Sequence, residues 1–282
     1  MKQNILSTTK KVVENAKFVS INKKALEKFC DSFSLDNVVT AELGNAGQLN
    51  ISQQISLVCV FNCVNFCFWA AKGQEKWATK INGEMIDGAT GIFRALEEAL
   101  KNGELLLDAH FLKNIDREKF NKILNGNIEI PLLDERVKCL NEAGEVLLEN
   151  FDGNFMKVFE AANGNAVELT NLFIKFFSSF NDHATFDGEK VEFHKRAQLN
   201  TDMINYRLTK CGEKELSNLD KLTAFADYKV PQMLCKFGIL EYTPELATKI
   251  DSYEEIEAGS REEIEIRVAT IWAIEQMKEV LR

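Results

Sequence analysis

The sequence predicts a mainly α-helical protein with a multi-helix fold and a few short strands. Only three prolines interrupt its 282 residues, and long stretches carry apolar side chains at helical spacing. Most glycines fall in N-G, D-G or A-G pairs, which are typical of helix ends and turns. We expect one domain over residues 1–282, with residues 1–54 as an outer helical layer and lid, and residues 55–282 as the core.

The charge balance argues against a nucleic-acid polymer as the partner. Lys and Arg total 34 against 43 Asp and Glu, which gives a formal net charge of -9. A polyanion would favour a broad basic surface instead. A local basic pocket is compatible with this balance, so a small molecule is the expected ligand.

The seven cysteines lack the paired spacing of a disulfide framework, and residues 1–19 carry no signal-peptide pattern. Both observations favour a reducing cytoplasm. Cys59, Cys63 and Cys67 share a helix face, but the outer two lie about 12 Å apart along the axis, too far to bind one zinc ion. We expect them to be small buried side chains.

The first third of the chain contains three predicted helices. Residues 7–15 and 22–33 are amphipathic, and residues 36–50 follow as a loop or lid. Residues 55–71 are the most apolar stretch, yet they are too short and too interrupted by polar side chains for a membrane span. They predict a central core helix that ends in the aromatic string NFCFW at residues 65–69.

The middle of the chain alternates turns with helices. A short strand or hairpin is expected after Trp77, followed by a helix that Asp87 caps and residues 102–103 end. Further helices are predicted over residues 134–148 and 165–180.

The helix that begins at residue 194, after a hairpin over residues 185–193, is the first candidate for function. On a helical wheel, Lys195, Asp202 and Tyr206 lie within about 20° of one line. Apolar residues occupy two other sides, so this line should face a cavity. The alternative is a structural pair of Lys195 with Asp202, which needs a bridging group because the two are seven residues apart.

The second candidate is FADYKVPQ at residues 225–232. A helical pattern over residues 217–226 leads into Asp227, and Pro231 is expected to open a short helix that Gly238 ends. Asp227 either caps that helix or faces a cleft, and the local sequence leaves both roles open.

The C-terminal segment predicts one long helix. Ser260 and Glu263 have the spacing of a capping box at its start. Glu263 and Arg267, four residues apart, can form an ion pair on its surface.

Several enzyme classes lose support because their motifs are missing. The sequence has no nucleophile elbow, Walker loop, dinucleotide fingerprint or H-E-x-x-H pattern. Its histidines, His110, His183 and His194, lack ligand spacing, so neither a metal nor another cofactor is expected. Carboxylates set among aromatic residues remain, a combination suited to stabilising a sugar cation.

Six strings in consistent order resemble the queuosine salvage protein family, from about Ile55 to the C-terminus. They are NFCFW, KW followed by IDG, PLLDERV, KRAQ with an aspartate four residues beyond its glutamine, FADYKVPQ and EIEIR. The resemblance implies a fold related in outline to DNA glycosylases and the release of queuine base from queuosine 5′-phosphate. Two positions depart from the family pattern: Ala89-Thr90, where aromatic residues are usual, and Asn181, where an arginine is frequent.

The chemistry of this expected reaction suggests roles for individual residues. Asp202 and Asp227 are the expected catalytic residues, one near the sugar cation and the other near the base, with the order open. The expected substrate-binding residues are Lys195 at the 5′-phosphate, Asp182, and the aromatic residues Phe66, Trp69 and Tyr228.

Two other functions remain alternatives at this level. One is a queuine-binding or carrier protein without catalysis, and the other is a glycosylase for another nucleotide or for damaged DNA. The sequence does not indicate an oligomeric state.

Overall fold

The computed structural model describes residues 1–34, 36, 44 and 49–282, and helices predominate among them. The mainly helical class is therefore confirmed, while the likeness to DNA glycosylases stays a prediction. The helices are α1 (Lys2–Glu14), α2 (Lys23–Ser32), α3 (Ile51–Val64), α4 (Gly88–Lys101), α5 (Ala109–Asn114), α6 (Arg117–Leu124), α7 (Leu133–Asn150), α8 (Phe155–Ala161), α9 (Ala166–Phe176), α10 (Lys195–Lys210), α11 (Lys229–Lys236), α12 (Pro244–Asp251) and α13 (Arg261–Val280).

The strands of the described residues form three antiparallel pairs. They are β1 (Val19–Ile21) with β6 (Leu240–Tyr242), β2 (Ala78–Ile81) with β3 (Glu84–Asp87), and β4 (His183–Phe186) with β5 (Glu189–Glu192). The hairpins expected after Trp77 and over residues 185–193 are therefore present. In the second of these, Asp187 and Gly188 both have positive φ, as its two-residue turn requires.

The chain divides into two compact units. The first unit comprises Met1–Thr40, Asp182–Gln198 and Asp220–Arg282, and the second comprises Ala41–Asn181 and Leu199–Leu219. The expectation of a single domain with an outer layer over residues 1–54 stays a prediction. Most of the loop or lid expected over residues 36–50 lies outside the described residues.

In the first unit, α13 carries apolar side chains into two clusters. One side packs with α2 and the β1–β6 pair through residues such as Leu26, Leu240 and Ala273. The other packs with α1 and the β4–β5 hairpin through residues such as Ile5 and Val268. The two amphipathic helices predicted over residues 7–15 and 22–33 are therefore present, although α1 begins earlier, at Lys2.

Glu265 ties the turn between α1 and β1 to α13. Its carboxylate is buried and accepts hydrogen bonds from the backbone N–H groups of Lys17 (2.9 Å) and Phe18 (2.6 Å). It also accepts one from Arg261 Nε at 2.8 Å. Because a buried carboxylate is stable only when its oxygens are paired, these contacts explain an acid in the core.

In the second unit, α3 and α7 carry much of the core. Phe61 on α3 meets Phe93 on α4 edge to face, with ring centroids 5.2 Å apart. Gly144 lies inside α7, where glycine normally weakens a helix, because α5 passes very close. A Cβ at this position would lie 2.2 Å from the backbone nitrogen of Lys113.

The predicted core helix over residues 55–71 is correct in place but wrong in extent. Helix α3 starts earlier, where Asn50 and Gln53 form a capping box, and it ends at Val64. The NFCFW string continues as non-helical chain, since Cys67 has a positive φ of 47°. Arg136 donates hydrogen bonds to backbone carbonyls of this segment, so these carbonyls need no helical N–H partners.

Two smaller predictions near the FADYKVPQ string are also corrected. Residues 219–221 form a single 3-10 turn, and residues 222–226 are not helical, because the Thr223 N–H donates to the Gln198 side chain at 2.7 Å. Helix α11 begins at Lys229, so Pro231 is its third residue. That position is still within the first turn, where a missing N–H costs nothing.

Gly238, with φ of 69°, follows the end of α11 as expected. Asp87 is at the N-cap position of α4, but within the described residues its side chain makes no capping hydrogen bond.

Candidate active site

The first unit holds a cluster of charged side chains centred on Asp182 and Arg267. Arg267, on α13, places two guanidinium nitrogens against the two carboxylate oxygens of Asp182, with Nη1 at 3.0 Å from Oδ1. Such a two-point pair fixes both the position and the plane of the carboxylate. Asp182 immediately precedes β4, so the pair also joins this hairpin to α13.

Arg267 has further contacts that fix it in place. Its Nε donates to the Ala226 carbonyl at 3.1 Å, and Nη1 lies 3.3 Å from Glu263. The Phe193 ring lies beneath the guanidinium, with its centroid at 3.8 Å. The pair with Glu263 follows the predicted spacing, whereas the pair with Asp182 was missed.

Asp182 also organises the start of α10. Its Oδ2 accepts the Lys195 backbone N–H at 3.1 Å, and its carbonyl accepts the N–H groups of Phe193 and His194. Burial would raise the pKa of Asp182, but Arg267 and the Lys195 N–H outweigh it and hold that pKa below its ordinary value. Asp182 is therefore a fixed anion that supports Lys195.

Lys195 points its ammonium towards Asp227. The distance from Nζ to Asp227 Oδ2 is 3.6 Å, and both side chains are largely buried. Burial lowers the pKa of Lys195 below its ordinary value, although the Asp227 carboxylate acts in the opposite direction. A partly desolvated ammonium of this kind gains stability when an anion binds beside it.

Asp227 has the capping role that its sequence context allowed, while the role of facing a cleft stays a prediction. Its Oδ1 accepts the N–H groups of Lys229 (2.8 Å) and Val230 (3.0 Å), so it caps the start of α11. Its Oδ2 faces Lys195 instead. The cap fixes the carboxylate, and the free rotation of an ordinary surface aspartate is lost.

Gln198 and Thr223 hold the extended chain that leads to Asp227. Gln198 is fully buried, and its amide nitrogen donates to Thr223 Oγ1 at 3.0 Å and to the Phe193 carbonyl at 2.9 Å. The glutamine of the KRAQ string thus connects α10 with Thr223, two residues before the FADYKVPQ string. Sequence reasoning noted both strings but had no signal for this bond.

His194, at the N-terminal boundary of α10, is a buried neighbour of this cluster. Its Nε2 lies 3.6 Å from Glu192, and its Nδ1 has no hydrogen-bond partner among the described residues. Desolvation lowers the pKa of His194 despite the nearby carboxylates of Glu192 and Asp182. A neutral imidazole is therefore favoured at neutral pH.

Tyr228 follows Asp227 directly and is exposed, with 41% of its surface accessible. The structure thus brings Asp182, Lys195 and Asp227 into one network, with Tyr228 next to it in the chain. Arg267 is the member that the sequence did not single out as a site residue.

Asp202 belongs to the second unit, as part of the C-terminal portion of α10. Its surface is exposed, yet surrounding protein removes enough hydration to raise the pKa of Asp202 above its ordinary value. The alternative of a direct pair between Lys195 and Asp202 is not favoured, because seven helical residues separate them by about 10.5 Å along the axis. Lys195 has Asp227 as its partner instead.

Phe66 and Trp69 lie in the non-helical segment after α3, also in the second unit. Phe66 is half-buried beside Arg136, with the guanidinium carbon 4.4 Å from its ring centroid. Trp69 is exposed, with 40% of its surface accessible. An exposed tryptophan next to a half-buried phenylalanine gives this segment apolar surface that a flat ligand can contact.

Neither a cluster of metal ligands nor a membrane-spanning helix is present among the described residues. No three His, Cys, Asp or Glu side chains come together there as metal ligands would. Across the same residues, no helix is both long enough and apolar enough to cross a membrane.

Comparison with known proteins gives a consistent result. The family model described as queuosine salvage protein matches residues 47–282. A queuosine 5′-phosphate N-glycosylase/hydrolase from Sphaerobacter thermophilus is 39% identical over 279 residues, covering 98% of this chain and 85% of that protein. Proteins of the same name from Mus musculus (31% over 226 residues, 79% and 67% covered) and Dictyostelium discoideum (29% over 290 residues, 98% and 86% covered) are also similar.

The family match covers well over half of the chain, and it includes every residue of the charged cluster described above. The chain belongs to the queuosine salvage protein family.

Proposed function

We propose that this protein hydrolyses the N-glycosidic bond of queuosine 5′-phosphate and releases queuine base and ribose 5-phosphate. The observation that carries the proposal is the relative of that name, which aligns with 98% of the chain at 39% identity. The network of Asp182, Lys195 and Asp227 supports it, because it supplies a fixed carboxylate beside a cation suited to a phosphate.

Asp227 is the candidate for stabilising the sugar. Breaking the N-glycosidic bond builds positive charge on the ribose, and a carboxylate already fixed in place stabilises that charge without reorganising. The backbone N–H groups of Lys229 and Val230 hold this carboxylate in place beside the Lys195 ammonium.

Asp202 is the candidate for activating water. A general base works best when its pKa lies near the working pH, and desolvation raises the pKa of Asp202 towards that range. Its other candidate role is to bind the secondary amine of the queuine side chain, which is cationic near neutral pH.

Lys195 is the candidate for binding the 5′-phosphate. An ammonium has three N–H donors, so it can contact a phosphate oxygen and Asp227 at once. Its lowered pKa reflects incomplete compensation of a buried charge, which a phosphate dianion would correct. Phe66, Trp69 and Tyr228 are the candidates for stacking on the base.

The free cysteines and the net charge bear on the cellular location and on the class of substrate. All seven cysteines are free, which supports a reducing cytoplasm as the location. The net charge of -9 favours a small nucleotide over a polymer as substrate, and no metal or other cofactor is needed for the steps described.

A comparison of substrates tests the proposed reaction. Wild-type protein is incubated with queuosine 5′-phosphate, guanosine 5′-phosphate and duplex DNA with a damaged base, and the released bases are measured. Release from the first substrate alone is expected. Release from guanosine 5′-phosphate or from DNA at a comparable rate would contradict the proposal, and bound but uncleaved queuosine 5′-phosphate would indicate a carrier.

The same assay with 7-deazaguanosine 5′-phosphate, which lacks the cationic side chain, separates the roles of Asp202. If Asp202 activates water, Asp202→Asn lowers the rate on both 7-deazaguanine substrates by the same factor. A loss confined to queuosine 5′-phosphate would assign Asp202 to the side-chain amine instead.

A further inference from the structure

Arg136 is a fully buried arginine in α7 of the second unit. A buried guanidinium is strongly unfavourable unless its donors are paired, because it loses its hydration entirely. The partners of Arg136 therefore show what its burial accomplishes. None of the predictions from sequence assigned it a role, although it belongs to the PLLDERV string.

Arg136 donates hydrogen bonds to backbone carbonyls of two separate segments. Its Nε donates to the Pro131 carbonyl at 3.0 Å, just before α7. Its Nη1 and Nη2 donate to the carbonyls of Val64, Phe66 and Cys67, the last at 2.8 Å. Val64 is the last residue of α3, so Arg136 supplies donors where the helix stops supplying them.

The guanidinium also contacts aromatic rings of the same segment. Its central carbon lies 4.4 Å from the ring centroid of Phe66 and 5.4 Å from that of Phe68. These distances are within the range of cation–π contact, so Arg136 fixes side chains as well as backbone. Trp69, next in the chain, is the exposed member of this aromatic run.

The backbone is strained in both of the segments whose carbonyls Arg136 binds. Cys67 has φ of 47° and Leu132 has φ of 56°, and neither is a glycine. Side chains other than glycine adopt this region only where surrounding contacts enforce it, and such strain is common at ligand-binding sites. The Arg136 donors bind the carbonyl of Cys67 itself and that of Pro131, which precedes Leu132.

We propose that Arg136 is a positioning residue that holds Phe66, Phe68 and Trp69 as a preformed stacking surface for the base of the nucleotide. The inference rests on the proposed function and extends it, because it explains how a segment without helical or strand hydrogen bonds keeps a fixed aromatic surface. Arginine is required because its planar fork of five donors can bind several carbonyls at once, which an ammonium cannot do in the same geometry.

The test compares Arg136→Lys with Leu140→Ala. Leu140 lies one turn further along α7 and is fully buried, so its truncation weakens the same helix while the hydrogen bonds of Arg136 to the aromatic segment are kept. For Arg136→Lys we expect KM for queuosine 5′-phosphate to rise about tenfold or more while kcat changes less than about threefold, because stacking contributes to binding of the ground state. Leu140→Ala should lower the melting temperature with KM unchanged.

Hydrogen exchange of residues 64–70 gives a readout that does not depend on activity. Arg136→Lys should speed exchange in these residues. Leu140→Ala should not speed it, even if both substitutions lower the melting temperature by the same amount. If Arg136→Lys does not fold alone, it is made in a Leu132→Gly background, which relieves one strained position, and is compared with Leu132→Gly itself.

The inference is overturned if Arg136→Lys and Leu140→Ala share the same KM, or if residues 64–70 exchange equally in both. A wild-type protein that releases no queuine would instead contradict the proposed function. The two failures are therefore distinct, since hydrogen exchange still reports on Arg136 in an inactive protein.

Discussion

Substitutions of Asp227 separate its two contacts. In Asp227→Asn, the amide oxygen can still accept the N–H groups of Lys229 and Val230, but the negative charge beside Lys195 is gone. In Asp227→Ala, both contacts are lost. The difference in unfolding free energy between the two variants therefore measures the cap, for which about 1 kcal/mol is expected. This corresponds to roughly 2–4 °C in melting temperature for a protein of about this size.

Activity should follow a different order from stability. Both variants lose the carboxylate that would stabilise the sugar cation, so both should lose about 100-fold or more in kcat. Thermal denaturation followed by circular dichroism gives the stability, and single-turnover release of queuine gives the rate. We expect Asp227→Asn and Asp227→Ala to differ in stability but to have the same low activity.

Asp116 provides a matched control for the cap. It accepts the Lys119 N–H at 2.8 Å at the start of α6 and belongs to the second unit. Asp116→Ala should cost a similar amount of stability and leave the rate unchanged. The reasoning is refuted if Asp227→Asn keeps wild-type turnover while Asp227→Ala does not, because Asp227 would then be only a cap.

Three further predictions concern charge. Because the folded-state pKa of Asp182 lies below its ordinary value of 3.8, its stabilising effect is present above that pH and is lost as pH falls through the folded pKa. Acid denaturation should therefore show a smaller gap between wild type and Asp182→Asn at pH 2 than at pH 6, and an equal gap at both would contradict this. If Asp202 is the general base, kcat/KM should decline on the acid side around a pKa above 3.8, and a flat profile down to pH 4 would exclude that role. Glu265→Gln should lower the unfolding free energy by about 2 kcal/mol or more in urea denaturation, because three donors lose a buried charged acceptor, whereas Glu145→Gln in an exposed pair should change little. A stable Glu265→Gln protein would show that this carboxylate is dispensable.

The sequence indicated local features of the site more reliably than the contacts between them. Asp227 was correctly identified as a cap candidate, because capping depends on neighbours in the chain. Its contact with Lys195, 32 positions away, depends on how the chain folds back and leaves no periodic signal. Arg267 shows the same contrast: its pair with Glu263 follows helix spacing, whereas its pair with Asp182 spans 85 positions.

The errors in helix extent have a similar origin. Apolar periodicity continues past Val64, so the sequence predicted helix up to residue 71, but donors from Arg136 satisfy the carbonyls that a longer helix would have paired. Likewise, Gln198 captures the Thr223 N–H in a stretch whose pattern predicted helix. In both cases a distant polar side chain replaced local hydrogen bonds, which hydrophobic patterning cannot show.

The most direct measurement is mass spectrometry of wild-type protein incubated with queuosine 5′-phosphate, with Asp227→Asn alongside. The proposed function predicts queuine and ribose 5-phosphate in equal amounts from wild type, and neither above background from the folded variant. Intact queuosine 5′-phosphate after incubation with wild type, or equal release by both proteins, would contradict it.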